Sequence, residues 1–474
     1  MGIKEYLDTL SGQIRSRKAR AMAVKEIEDH INDQADFFES QGMESQEAVQ
    51  EAVRQMGDPV EAGVELDRIH RPDMEWRLFG WIILFSVLGL VIQYICFYCC
   101  RIGDVSAQSK WILGDSTGNF VRQCVYTVIG LAVMAAVCLM DYSVMGKHAS
   151  PLAACFLVLI VLSCTFGVIR QINGGHPQLK CLLYLFVPLY GGILYQNRGK
   201  GWRGMGLCYL WIGAAFLVGA ESIGGGLGVV IDVIAVCLMM LFAAACKGWF
   251  HLSKKSGIKA TTVLLALMAI SAGLFVKFGL KPYQAMRLKV WLHPEQYADQ
   301  GGYSIVTIRK IVSSLSINRD CFKILEKRGL EDFLYAGKSG SDFMILRTAV
   351  TMGLFKTLCI LCLFCAFFIY LFWQASHEKN QMGQIMGLGC TMMLAVETVR
   401  NVMYNFGIGL GSTGGIPFFS YGWVHTMAIY MLLGILLSIY RYRNLVWEDP
   451  VKTGDSSGLR IGNYVIRVEK KPVS

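Results

Sequence analysis

Runs of about twenty apolar residues, each long enough to cross a hydrocarbon core of about 30 Å, recur ten times along this chain. They cover residues 79–100, 121–141, 150–169, 179–196, 204–222, 224–246, 260–279, 350–374, 384–408 and 423–440. A chain that is 54% hydrophobic and only 17% charged is an integral membrane protein and not a soluble one. The expected architecture is an all-α, polytopic membrane helix bundle of about ten transmembrane helices. Gly224, Gly225, Gly226 and Gly228 weaken the start of the sixth run and permit close packing or a local break.

Residues 1–75 are polar, so the first span is expected to serve as an uncleaved insertion signal. Short connectors carry Lys147, then Arg198, Lys200 and Arg203, then Lys247, Lys254, Lys255 and Lys259, and the stretch after the last span begins Arg441, Arg443. The positive-inside bias puts these on the cytoplasmic side, and ten spans then return both termini there. The protein is expected to be a multi-pass membrane protein, with the polar stretch from Leu280 to Ala349 facing outward.

Charge separates the amino-terminal region from the rest. Residues 1–78 hold ten Lys and Arg against seventeen Asp and Glu, a balance of −7 within a chain of +10. A basic membrane half suits anionic head groups, and a basic outer loop suits a phosphate-bearing ligand. Helical spacing at Ile14, Ala21, Val24, Ile27 and Ile31 and again at Ala48, Val49, Ala52, Val53 and Met56 predicts three or four short helices over 1–75. Gly42 and Gly57-Asp58-Pro59 break them. This stretch resembles the small prefix domains fused ahead of some bacterial permeases and transporters. Glu26 and His30 share a helix face, but two ligands without a third read as a solvated face and not as a metal site.

The Leu280–Ala349 stretch is too long for a simple connector. Its apolar pattern at Ile305, Ile308, Ile311 and Val312 predicts a short amphipathic helix. Tyr283, Trp291 and Tyr303 read as interfacial aromatics. Cysteines carry little: Cys96/Cys99 and Cys359/Cys362 have CxxC spacing but lie in apolar runs without the polar turn of a zinc knuckle. Intramembrane charges say more, since a lone one costs about 2.5–3.5 kcal/mol on insertion scales. Asp232 lies in the sixth run, Lys356 near the start of the eighth, and Glu397 and Arg400 in the ninth. Either Asp232 pairs with Arg400 or Lys356, or these groups line a hydrated cavity.

The last spans carry a recognisable signature. It comprises Asn401-Val-Met-Tyr-Asn-Phe-Gly407, then Ser412-Thr-Gly-Gly-Ile-Pro-Phe-Phe-Ser-Tyr-Gly422, then Gly434-Ile-Leu-Leu-Ser-Ile-Tyr-Arg441. Together these resemble the closing segments of the SEDS proteins, the FtsW/RodA/SpoVE family. Phe120-Val-Arg122-Gln123 with Asp141-Tyr142, Gly167-Val-Ile-Arg170, and the loop residues Tyr283, Arg287, Pro294, Gly302 and Ser341-Asp342-Phe343 resemble further family segments in the same order. The resemblance runs from about residue 79 to 445. It divides the chain into a prefix domain (1–75), a membrane domain (76–445) with its large loop at 280–349, and a tail (446–474).

Such a resemblance implies a peptidoglycan glycosyltransferase that polymerises lipid II in cell division, shape or sporulation. The partners implied are lipid II, a class B penicillin-binding protein and membrane lipids, with no nucleic acid. A lipid II flippase and a noncatalytic scaffold for cell-wall enzymes are the alternatives. Joining a sugar hydroxyl to an anomeric carbon needs a base, and Asp342 matches the family's loop aspartate. Partial desolvation at the membrane interface raises a carboxylate's pKa and makes it a better base. The departing diphosphate needs cations, either Arg122, Arg170, Arg287, Lys338 and Arg347 or a divalent metal such as Mg or Mn. Arg122 and Arg170 equally suit snorkelling to head groups. The sequence departs from the family pattern at Val350 and Thr351, where an acidic pair is usual, at Gly224–Gly228, and at Glu397, which replaces a glutamine.

Overall fold

A computed structural model describes residues 2–69, 71–98, 107–165, 180–222, 227–250, 259, 262–263, 266, 282–299, 301–317, 330, 333–334, 343–408, 415–445, 458–461 and 464–467. Asp342, Lys338, Arg170 and the expected seventh span at 260–279, apart from isolated positions, lie outside the described residues, as does the side chain of Arg287. The chain divides into two compact units, Met1–Glu75 with Ile439–Glu448, and Trp76–Ser438 with Asp449–Ser474.

The first unit contains α1 (Ile3–Gln13), α2 (Arg17–Ser40), α3 (Ser45–Gln55) and α4 (Pro59–Ile69). Ser16 caps α2 by accepting the Ala19 N–H, and Gly42 and Gly57 turn the chain with φ of 93° and 77°. Tyr6, Leu10, Ile14, Ile31 and Ala52 form its core, which also takes in Leu445. The described residues 439–445 therefore group with the prefix helices. Tyr6 donates to the Met56 carbonyl at 3.2 Å, and burial followed by the nearby Asp58 charge pushes its phenol pKa up. Glu26 and His30 are both exposed on α2.

The second unit opens with α5 (Trp76–Tyr98), α6 (Ala107–Leu139), α7 (Tyr142–Lys147), α8 (Ala149–Thr165), α9 (Phe186–Gln196), α10 (Gly201–Ser222) and α11 (Leu227–Cys246). It continues with α12 (Pro282–Leu292), α13 (Tyr303–Val312), α14 (Met344–Met352), α15 (Leu354–Ser376), α16 (Gln381–Asn405) and α17 (Trp423–Arg441), whose last residues fall in the first unit. Among the described residues seven helices are long and apolar enough to cross a membrane, and Ala149–Ser163 and Cys181–Gln196 are shorter apolar helices. These nine correspond to nine of the ten expected runs. The helical class holds throughout both sets of packed helices. One antiparallel hairpin in the tail, Gly458–Ile461 with Tyr464–Arg467, is the exception among the described residues.

Burial sorts the spans by position in the bundle. Gln381–Asn405 and Gly228–Cys246 are each 67% buried along their most apolar window, whereas Phe120–Leu139 is 22% buried and presents most of its surface outward. Small residues let the central helices approach closely: a Cβ on Gly192 would stand 2.5 Å from the Ala149 Cβ. Basic connectors meet at one end. Gly199 N–H reaches the Trp249 carbonyl at 2.8 Å, Arg198 donates to Gln381 at 2.8 Å, Gln196 donates to the Lys147 carbonyl at 2.7 Å, and Lys247 donates to Gln384. The long loop contacts the opposite end of α16, as described below.

The turn from Ile416 to Gly422 is held under strain. Phe418 adopts a φ of 69°, a left-handed conformation that costs a bulky residue energy. Gln93 donates to the Phe419 carbonyl at 2.8 Å, and Gln123 accepts the Gly422 N–H at 3.3 Å. Gly89 on α5 makes this fit possible, because a Cβ there would stand 2.4 Å from the Phe418 carbonyl oxygen. Gly89→Ala is expected to lower stability by about 1–3 kcal/mol through overpacking. Gly80→Ala on the same helix, where nothing lies within 4 Å, should leave it unchanged or slightly raised. Thermal unfolding in detergent distinguishes the two; equal midpoints would remove the tight fit.

Candidate functional site

The loop between the seventh and eighth spans is folded onto the bundle. Its α12 and α13 flank a tight turn in which Gly302 N–H meets the Tyr297 carbonyl at 2.9 Å, and a Cβ on Gly302 would clash with the Pro294 carbonyl at 2.4 Å. Ile308 and Ile311, on the predicted amphipathic helix, are fully buried against Leu334, Phe343, Leu346 and Val350. Tyr303, read as an interfacial aromatic, is 55% exposed and meets Phe333 edge-on at 5.9 Å.

The eighth apolar run is not one helix. Gly353, at φ 90°, separates α14 from α15, a break that continuous hydropathy conceals. The first two N–H groups of α15, on Leu354 and Phe355, reach the loop carbonyls of Ser316 and Ile317 at 3.1 and 2.9 Å. Helix α14 therefore belongs to the loop and begins directly after Ser341-Asp342-Phe343.

The end of α16 receives this assembly. Phe343 stacks on Tyr404 at 5.4 Å and 14°. Asn405 Oδ1 accepts the Leu346 N–H at 3.0 Å. Arg309 Nε donates to the Gly407 carbonyl and Trp291 Nε1 to the Ile408 carbonyl, each at 3.2 Å. Trp291 is thus a tether between loop and bundle, a role that its aromatic character alone did not disclose.

Arg347, one of the expected cations, lies within the folded loop. It is 3% exposed, and its guanidinium donates to the Leu334 carbonyl at 3.0 Å. That bond ties the start of α14 to the loop segment at Leu334. Val350 is buried in the loop core and Thr351 donates to the Arg347 carbonyl at 3.0 Å, so packing occupies the positions where an acidic pair was expected. Arg122 is exposed and hydrogen-bonds Tyr421, whose phenol burial pushes up and Arg122 pulls back.

Beneath the loop, the bundle holds a buried polar cluster. Arg400 Nε stands 2.6 Å from Asp232 Oδ2, with side chains 16% and 8% exposed. Asp232 therefore pairs with Arg400, while Lys356 lies exposed in the first turn of α15. One turn earlier, Glu397 is fully buried, and its Oε1 accepts from Tyr184 Oη at 2.7 Å, Gly415 N at 3.0 Å and His425 Nε2 at 3.0 Å. Tyr184 and His425 escaped the sequence reading because they come from separate helices. Their one signal was a carboxylate in an apolar run, which must find donors. Among the described residues no three of His, Cys, Asp and Glu converge to hold a metal ion.

These features define a polytopic membrane protein whose large loop is seated on the end of a central span. The family model for the cell cycle proteins FtsW, RodA and SpoVE matches residues 178–445, and the chain belongs to that family. It is 22% identical over 330 residues to the probable peptidoglycan glycosyltransferase FtsW of Trichlorobacter lovleyi, covering 67% of this chain and 82% of that one. It is 24% identical over 388 residues to stage V sporulation protein E of Bacillus subtilis, covering 76% and 96%. The fold is shared with a chain from a peptidoglycan synthase complex that coordinates polymerisation and crosslinking, with a TM-score of 0.60 at 20% identity over 78% of this chain and 98% of that one. The rod shape determining protein RodA of Thermus thermophilus matches with a TM-score of 0.50 at 18% identity, covering 78% and 97%.

Proposed function

We propose that this protein is a peptidoglycan glycosyltransferase that polymerises lipid II at the outer face of the bacterial cytoplasmic membrane. One observation carries the reading: the loop segment that follows Asp342 is fixed to the end of α16 through Phe343 and Leu346, in a chain of a family whose relatives are named for this activity.

In the proposed reaction a hydroxyl of one glycan attacks the anomeric carbon of another. The new C–O bond forms as the bond to the lipid diphosphate breaks, and Asp342 takes the hydroxyl proton. Arg287, Lys338, Arg122 and Arg170 supply positive charge for the departing diphosphate. A divalent cation such as Mg or Mn would add to that charge by binding diphosphate oxygens. Lys147, Arg198, Lys200 and Lys247 gather at the end of the bundle away from the loop, which under the positive-inside bias supports reading that end, and both termini, as cytoplasmic.

A class B penicillin-binding protein is the proposed partner, which would crosslink the chains made here. Purified full-length protein given lipid II, alone and with such a transpeptidase, is expected to produce glycan chains. No chains in either condition, together with mislocalised cell-wall enzymes on deletion of residues 1–75, would favour the scaffold.

A further inference from the structure

We infer that Asn405 is a positioning residue for glycosyl transfer, holding the segment that carries the base from a different helix. The inference rests on the reading of Asp342 as that base.

Helix α14 has nine residues, and the N–H groups of its first turn need acceptors from outside the helix. Residues such as Ser, Thr, Asp or Asn at the N-cap usually provide one. Here the N-cap is Phe343, which has no such group, and no side-chain cap bond forms there. The acceptor comes instead from Asn405, whose Oδ1 lies 3.0 Å from the Leu346 nitrogen. Asn405 thus replaces the missing cap from across the interface.

The amide is fixed in that orientation. Its Nδ2 donates to the Asn401 carbonyl at 2.9 Å and to Asn401 Oδ1 at 3.0 Å, which assigns Oδ1 as the group facing α14. Both asparagines are fully buried, and both lie on the heavily buried central span. The neighbouring Tyr404 supports Phe343 from below. Two consecutive residues of α16 therefore hold two points on the chain just after Asp342. Consecutive Cα atoms are about 3.8 Å apart in a trans peptide, so anchoring Phe343 restricts where the preceding residue can begin. A misplacement of about 1 Å at a reacting group can cost about 10²-fold in rate.

The test compares Asn405→Leu, which removes the acceptor at similar volume, with Asn405→Asp, whose carboxyl, kept protonated by burial against the two Asn401 oxygens, retains an oxygen toward Leu346 and an O–H toward Asn401. With lipid II as substrate, Asn405→Leu is expected to lower kcat by about 10²-fold with KM unchanged, and Asn405→Asp to stay within about tenfold of wild type. Hydrogen exchange on the full-length protein should show faster exchange of Met344–Met352 in Asn405→Leu alone. Wild-type kcat in Asn405→Leu, equal losses in both variants, or a change confined to KM would each overturn the inference. If Asn405→Leu does not fold, Asn405→Ser, too short to reach Leu346, is read against the same expectations. The Asp342→Ala, Asn405→Leu double variant should be no slower than Asp342→Ala, because Asn405 acts through that base. Full polymerisation by Asp342→Ala would instead remove the assignment of the base.

Discussion

Replacing Asp342 with alanine is expected to slow glycan-chain formation by about 10²- to 10⁴-fold, the range that proton transfer by a positioned side chain supplies. Asp342→Asn keeps the size and polarity of the side chain but has no basic oxygen of comparable strength, and should lose nearly as much. Described contacts hold the chain after the segment: Phe343 rests on Tyr404, Leu346 on Asn405, and Arg347 on the Leu334 carbonyl. Binding of lipid II should therefore change far less than turnover. Initial rates measured over a range of lipid II concentrations separate the two. A rate within tenfold of wild type in both variants would remove Asp342 from the chemistry.

The second large effect is on stability. Asp232→Ala or Arg400→Ala alone is expected to cost about 3–5 kcal/mol, because each leaves the opposite charge buried without its partner. The pair closes at 2.6 Å with both side chains largely out of reach of solvent. Removing both charges together should cost clearly less than the sum of the single changes, since no uncompensated charge then remains. Unfolding of the purified protein in detergent provides the cycle. Additive effects would show that the two residues do not depend on each other.

Much of this architecture was legible in the sequence because lipid imposes a simple rule. A span must be apolar over about twenty residues, and nine of the ten runs correspond to described helices. The amphipathic helix at Tyr303–Val312 was legible for a similar reason, since its buried Ile308 and Ile311 set a helical period. The break at Gly353 was not, because α14 is apolar enough to extend the eighth run without a gap. Hydropathy measures transfer into an apolar setting and does not distinguish lipid from the interior of a folded loop.

The candidate site divides along the same line. An intramembrane carboxylate announces that it needs a partner, but the sequence offered Asp232 both Arg400 and Lys356, and only three-dimensional proximity selects Arg400. The bond from the Arg347 guanidinium to the Leu334 carbonyl was not legible either, because no local pattern marks which carbonyl a loop arginine reaches. Asn405 lay inside the family signature, yet its partner Leu346 is 59 residues away in sequence. Local patterns carry no information about such a pairing.

The central claim is that this bundle builds glycan from lipid II. Its most direct test reconstitutes the full-length protein and Asp342→Ala in liposomes containing lipid II, and follows polymerised glycan and transbilayer movement of lipid II in the same preparation. The wild type is expected to make glycan chains, and Asp342→Ala to lose about 10²-fold or more of that activity with transbilayer movement unchanged. Movement of lipid II without any polymer from the wild type, or undiminished polymer from Asp342→Ala, would contradict it.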